Sequence, residues 1–200
     1  MTATELQRHM AADLYRYDRA SGWRGLVRTF LREPGFRFTC LLRLCRHLRA
    51  QPWSRWGTYH ACKFWLGRLS LKLGVYIEIT TEIGPGLYLP HACGIIVNRR
   101  CRIGANCNLS QHVTLGLKSR EPRAGCPVLG DRVYVGPGAV IFGELRIGDD
   151  AAVGANAVVT RDVPNMGVVA GAPASLLSLR GSTGYINDCL PNPATEPPPS

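Results

Sequence analysis

From residue 77 onward, aliphatic side chains recur at a fixed interval: Ile77, Ile83, Leu89, Val97, Ile103, Leu109, Leu115, Leu129, Val135, Ile141, Ile147, Val153 and Val159. The step is six residues, with two exceptions: eight from Leu89 to Val97 and fourteen from Leu115 to Leu129. A small or apolar residue stands four positions after most of them: Leu87, Cys93, Cys101, Cys107, Val113, Val133, Ala139, Leu145, Ala151, Ala157 and Val163. Neither the helical period of 3.6 nor the strand period of 2 generates this rhythm. A hexapeptide period predicts a β-helix of triangular cross-section, one short side and one corner per repeat. The aliphatic and small positions fill its interior, and about five coils at strand spacing make a prism of roughly 24 Å. The two long steps predict insertions at corners, the larger being a loop over 116–128.

The first third follows a different rule. Residues 3–20 and 22–33 read as helices, with Leu6, Met10, Leu14 and Tyr15 on one apolar face and Leu26, Phe30 and Leu31 on the other. Pro34-Gly35 is expected to break the pattern. It then resumes with Phe38, Leu41, Leu42, Cys45 and Leu48 inward and Arg37, Arg43, Arg46 and Arg49 outward, until Pro52. A fourth amphipathic segment covers about 56–73. The expected organisation is a basic α-helical lead-in (1–75), a β-helix (76–174), and a C-terminal extension (175–200) whose end, "PATEPPPS", is disordered.

Charge sharpens this division. Residues 1–75 hold 14 Lys/Arg against 4 Asp/Glu, and residues 76–200 hold 10 of each, so the net +10 lies wholly in the lead-in. Either that face is simply solvated or it meets something anionic: a membrane surface, a lipid pyrophosphate or a phosphorylated cofactor. Nucleic acid is not expected, because no binding motif accompanies the charge. No apolar run reaches the roughly 20 residues of a membrane span, and "FTCLLRLC" is interrupted by Arg43. With a polar N-terminus and no leader, the expected compartment is the cytoplasm, with the basic part at the inner face of the membrane. Eight cysteines without a CxxC pair then read as free thiols rather than a zinc site. Cys93, Cys101 and Cys107 fall on the inward small position.

Indexing the prism by coils aligns Leu89, Leu109, Val135 and Val153. His91, Gln111, Pro137 and Ala155 lie two residues further on and are expected to form a column along one edge. His91 is its titratable member, above it runs a lane of small residues, and the loop 116–128 leaves the prism in the coil above. An imidazole beside a narrow lane and under a flap has the form of a site.

The stretches "IGPGLYLPHACGIIVN", "SQHVTLG", "GCPVLGDRVYVGPGAVIFG" and "VVTRDVPNMGVVAGAPA" resemble the hexapeptide-repeat acyltransferases. The resemblance runs over about residues 74–175. It points to the serine acetyltransferase branch and, within it, to relatives of the colanic acid acetyltransferase type used in bacterial surface-polysaccharide synthesis. It implies a left-handed parallel β-helix, a homotrimer, and acetyl-CoA as acyl donor between neighbouring prisms, with no metal. His91 matches the catalytic histidine and Gln111 the glutamine of the central motif. Pro137 and Ala155, with Gly136 and Gly154, match backbone along the pantetheine arm, and Gly171 and Pro173 match the turn at the nucleotide end. His112, beside Gln111, is a second site candidate or an edge histidine. Arg120 and Arg123 in the loop, and Arg161, are candidates for the CoA phosphates or an acidic sugar.

Three departures bear on the acceptor. The serine acetyltransferase pattern places aspartates at positions occupied here by Pro90 and Tyr76, and a loop histidine where Cys126 stands. Their loss favours a sugar hydroxyl over serine, and "GCPVLG" resembles the polysaccharide-modifying relatives. The short lead-in favours a lone trimer. His91 is expected to act as general base on the acceptor hydroxyl, oriented by a backbone carbonyl or Glu78. The alternatives are a serine acetyltransferase of cysteine synthesis, a ping-pong route through Cys126, and a non-catalytic trimeric scaffold.

Overall fold

The computed structural model describes residues 1–51, 57–186 and 188–190. Pro52 as a helix stop, the start of the fourth helix at residue 56, and the tail "PATEPPPS" lie outside the described residues. Among the described residues, four helices, α1 (Ala3–Tyr15), α2 (Gly22–Arg32), α3 (Pro34–Arg49) and α4 (Thr58–Leu73), precede fourteen short strands.

The strands wind a left-handed parallel β-helix with three faces. Face 1 stacks β1 (Tyr76–Ile77), β3 (Ile96–Val97), β6 (Thr114–Gly116), β9 (Val140–Phe142) and β12 (Val158–Val159). Face 2 stacks β2 (Glu82–Ile83), β4 (Arg102–Ile103), β7 (Val128–Leu129) and β10 (Arg146–Ile147). Face 3 stacks β5 (Asn108–Leu109), β8 (Tyr134–Val135), β11 (Ala152–Val153) and β13 (Val168–Gly171). All thirteen aliphatic positions read from the sequence are buried, none above 5% exposed. Face 1 turns into face 2 at what we term the second edge, face 2 into face 3 at the third, and face 3 into the next coil's face 1 at the first.

Both ends of such a prism expose an unpaired ladder and an open core. The upper end is closed by β14 (Ala174–Ser178), which pairs antiparallel to β13, so the C-terminal extension begins as ordered strand. The lower end is closed by the helical lead-in. Phe38, Leu42, Cys45, Leu48, Cys62 and Leu66 join the same core as the coil residues. Helix α4 passes through Gly74, at φ +65°, directly into Val75 and the first coil.

The helical boundaries depart from expectation for identifiable reasons. α1 starts on a Thr2–Glu5 capping box and stops at Tyr15, because Asp18 and Arg19 turn left-handed at φ +54°. Pro34-Gly35 does not interrupt a helix but opens α3, with proline in the first turn where no intrahelical N–H bond is lost. Gly35 also lies against the Leu89 carbonyl, 2.1 Å from where a Cβ would stand. Leu31, expected inward, is 68% exposed.

Arg43, expected on the solvent face, is buried with Asp13. Its guanidinium donates to Asp13 Oδ2 at 3.1 Å, to the Ile83 carbonyl at 2.8 Å and to the Gly84 carbonyl at 2.6 Å. Asp13 Oδ1 in turn accepts from the Gly86 and Leu87 amides at 2.8 and 2.9 Å. Four backbone groups of the lowest third-edge turn are thus satisfied by one ion pair from α1 and α3. Nearby, Arg16 donates to the Asn106 carbonyl and to Asn108 Oδ1, at 2.9 and 2.5 Å. The lead-in is fastened to the coils by polar groups within an apolar contact. No described helix is long and apolar enough to cross a membrane.

Removing one partner of a fully bonded buried pair leaves an uncompensated charge. Arg43→Met is expected to lower unfolding free energy by about 3–5 kcal/mol, read as a shifted urea midpoint. A second prediction concerns His9, half-buried on α1 beside Arg43, Arg8 and Arg46. Burial, then those cations, lower its pKa from 6.5 to about 4. Between those values the unfolded chain binds a proton that the folded chain does not, so stability falls as pH drops from 6.5 towards 4. Thermal melts of His9→Gln across that range should show a shallower acid decline than the parent.

Candidate active site

The first edge turns by a repeated device. Gln111–His112, Pro137–Gly138 and Ala155–Asn156 make the corner in successive coils, the second residue of each pair left-handed at φ +59°, +69° and +55°. Its N–H donates to the carbonyl of the pair below: Gly138 to Gln111 at 2.9 Å, Asn156 to Pro137 at 2.8 Å. Continuing down, His112 donates to the Cys93 carbonyl at 2.8 Å and Gly94 to the Leu73 carbonyl at 3.2 Å. The lower corners are therefore Cys93–Gly94 and Leu73–Gly74.

This register corrects the expected column. Ser110 alone separates Leu109 from its corner, and Gly136 and Gly154 do the same above. Between Leu89 and Cys93 stand three residues, Pro90, His91 and Ala92. The ladder is intact on both sides, through the Tyr88–Asn108 bridge and the Ile96–Thr114 pairing. The two surplus residues are thus expelled as a bulge, with exposed His91 upon it and the Cys93 amide bonded back to the His91 carbonyl at 2.8 Å. In the backbone stack it is Cys93, not His91, that lies beneath Gln111. Cys93 is accordingly exposed rather than inward, and Ile95, fully buried, takes its core place. Cys101 and Cys107 are buried as expected, and burial pushes both thiols up to about 12.

His112 joins this corner. Its backbone is tied to Cys93 and its ring Nδ1 lies against Gly94, 2.3 Å from where a Cβ would stand. Gln111 is half-buried, and its Oε1 is buried without a hydrogen-bond partner among the described residues. A buried acceptor without a partner carries a desolvation cost. The His91 imidazole has no hydrogen-bond partner among the described residues. Glu78, expected to orient it, instead accepts from the Tyr76 hydroxyl at 3.1 Å.

Above the histidines the edge presents Pro137, Ala155 and Gly171, the last opening the hairpin turn that carries exposed Pro173. Gly136 and Gly154 are demanded by coil stacking: a Cβ on either would come to 2.9 Å of an atom in the coil above. The small-residue lane is present as expected, and its glycines have a packing cause.

The loop residues are elsewhere. Residues 117–127 leave between β6 and β7, at the second edge, so the loop does not roof this chain's His91. Arg123 is tied to Asp162 Oδ2 at 3.0 Å and to the Glu144 carbonyl at 3.3 Å. Arg120 is exposed in the loop, and Arg161, after β12, shares the second edge rather than the lane of Pro137 and Ala155. Cys126 Sγ contacts Asn98 Oδ1 at 3.5 Å and neighbours Cys101, neither of which is a base for an acyl-accepting thiolate. The sequence reading missed the polar cleft here, about 510 Å³, walled by Arg99, Arg100, Arg102, Glu82, Cys126 and Glu144. The paired Arg99-Arg100 after β3 was its available signal. Among the described residues no three His, Cys, Asp or Glu side chains cluster as metal ligands.

A triangular hexapeptide prism defines a class of protein, and similarity to known proteins agrees with it. No family model matches the chain. The serine acetyltransferase of Mycobacterium tuberculosis is 32% identical over 135 residues, 61% of this chain and 58% of its own length. That of Staphylococcus xylosus is 33% identical over 128 residues, 62% and 59%. The matched stretch therefore spans under two thirds of these curated relatives. Soybean serine acetyltransferase complexed with serine superposes with a TM-score of 0.70 at 30% identity, over 87% of this chain and 70% of that one. The Brucella abortus enzyme gives 0.72 at 27%, over 90% and 72%. The chain belongs to the hexapeptide-repeat acyltransferase family, among relatives named serine acetyltransferase.

The corner geometry makes a prediction of its own. At φ +64° and with the His112 ring above it, Gly94→Ala is strained twice. It should cost at least about 1–2 kcal/mol in a denaturant melt. Gly67→Ala, in α4 with open space around it, should be neutral or stabilising by up to about 1 kcal/mol.

Proposed function

We propose that the chain is an acetyl-CoA-dependent O-acetyltransferase in which His91 is the general base. The observation that carries this reading is the extruded bulge. A repeat that places every other inward residue in register expels two residues at one point, and that point bears an imidazole at the foot of a lane of small residues. A scaffold would have no use for the extrusion, since the regular six-residue spacing closes the same coil without it.

The reaction follows from the groups available. A neutral imidazole suits removal of a hydroxyl proton near neutral pH. His91 takes that proton as the acceptor oxygen attacks the thioester carbonyl carbon. The C–O bond forms, the C–S bond breaks, and the proton is returned to the leaving CoA thiolate. The thioester arm would lie along Pro137, Ala155 and Gly171, where no side chain projects far, with Gln111 at the same edge below them. His112, fixed over Gly94, stands beside the same corner as a second polar group for the acceptor. Backbone N–H groups of the edge are the available donors to the tetrahedral oxyanion.

The site also requires company. His91 lies on the first edge, whereas the loop, Arg123, Cys126 and Arg161 lie on the second. A homotrimer in which one prism's first edge faces a neighbour's second edge would complete one groove from both sets. The group that orients His91 would then come from that neighbour or from the substrate.

The acceptor reading that the relatives' names support is L-serine. A second reading, a sugar hydroxyl of a bacterial surface polysaccharide or its precursor, is favoured by Pro90, Tyr76 and Cys126. These put a ring, an exposed phenol and a half-buried thiol at the positions where the serine-type pattern has two carboxylates and a histidine. None of the three offers a charge to an amino-acid ammonium group. With acetyl-CoA as donor and thiol release as readout, a panel of L-serine and sugar acceptors decides between them. For the acceptor that turns over, His91→Ala should lower the rate at least about 100-fold with an unchanged melting curve. A variant of near-normal rate refutes the mechanism.

A further inference from the structure

The helical lead-in carries an apolar surface that the prism does not use. On α2, Trp23, Val27 and Leu31 form a single stripe at four-residue spacing, exposed by 73%, 47% and 68%. On α4, Phe64, Trp65 and Leu71 are exposed by 60%, 62% and 83%. Between the two helices, with α3 as floor, runs a groove of about 840 Å³ lined by Phe30, Leu41 and Leu69 and edged by Arg37, Arg68 and Lys72. Trp65 and Leu71 of α4 belong to the groove's wall, and the groove meets α2 at Phe30, next to Leu31 of the stripe.

The charged residues lining the groove are all cations. α2, α3 and α4 contain no aspartate or glutamate. Arg24, Arg28 and Arg32 flank the stripe on α2, and Lys63, Arg68 and Lys72 flank the aromatic pair on α4. Arg24 lies over the Trp23 ring at 5.4 Å and Arg37 over Phe30 at 5.7 Å, so cations and aromatics are interleaved. A second copy of this surface would bring cation against cation without a counter-charge, which disfavours self-association through it.

We propose that this face seats the protein on an anionic lipid bilayer. Tryptophan, phenylalanine and leucine would enter the headgroup boundary while the arginines and lysines meet lipid phosphates, the arrangement of an in-plane amphipathic surface rather than a span. The remaining sequence, residues 76–200, has balanced charge, so attraction to the bilayer is confined to the end of the molecule that carries the groove. This inference does not depend on the acetyl-transfer reading.

The test is co-sedimentation of the full chain with phosphatidylcholine vesicles and with equimolar phosphatidylcholine–phosphatidylglycerol vesicles. Partitioning onto the anionic vesicles should exceed that onto the neutral ones at least about tenfold, and should weaken sharply at about 0.5 M salt, where the Debye length falls well below 10 Å. The double variant Trp23→Ser/Leu31→Ser, and separately Arg28→Glu, should each lose about tenfold in partitioning. All replaced residues are exposed, and circular dichroism melts check that both variants fold. Should a variant fail to fold, quenching of wild-type tryptophan fluorescence by bromine-labelled anionic lipid, absent with bromine-labelled phosphatidylcholine, gives the same answer. Equal sedimentation with both vesicles overturns the proposal, as does full binding by the variants. So does a reduced oligomeric size of the double variant in analytical ultracentrifugation, which would make the face a contact between copies.

Discussion

The structure depends on closure of the coil. Each turn of the prism hydrogen-bonds to the turn below, so a residue out of step in one coil would throw every later aliphatic side chain off the interior. Thirteen inward positions with almost no exposure leave no room for such drift. A surplus of two residues can therefore be absorbed only by leaving the prism at a corner, with pairing restored on either side. That is what happens between Leu89 and Cys93, and it is why one imidazole stands clear of an otherwise smooth edge. The core's intolerance of slippage creates the candidate site.

The second demand comes from the ends. A ladder of short strands has a first and a last rung, and each must be covered. Antiparallel β14 supplies the upper cover. Below, the apolar faces of α3 and α4 close the core, while Asp13 and Arg43 supply the hydrogen-bond partners that the lowest turn lacks. A buried ion pair contributes little to stability against an apolar isostere. Here its worth lies in direction, because it bonds backbone atoms at four defined places and so fixes how the lead-in sits upon the coils.

The prism was legible in the sequence because its signal is long and redundant: thirteen positions in one phase outweigh any single ambiguity. What failed to read through had fewer witnesses. Counting residues locates a two-residue insertion between Leu89 and Val97 but not the side of Cys93 on which it falls, so Cys93 was expected inward and His91 in the stack. An arginine opposite a leucine stripe looks solvated, and nothing local announces that Asp13, thirty residues earlier, waits for Arg43. Arg161 and Cys126 lie on the second edge and His91 on the first, a separation that spacing along a chain does not reveal. The rhythm and the motif together single out His91, and the same indexing places Pro137 and Ala155 along the edge above it.

The left-handed corners carry one more consequence. Asn106 lies over Gly86, His112 over Gly94 and Asn156 over Gly138, each so close that a Cβ on the glycine would be 2.1–2.3 Å from the polar atom above. At these three steps the glycine is a socket for the side chain one turn up. A methyl group added there would press on the upper corner as well as strain the lower one, so each socket ties the shape of one turn to the identity of a residue in the next.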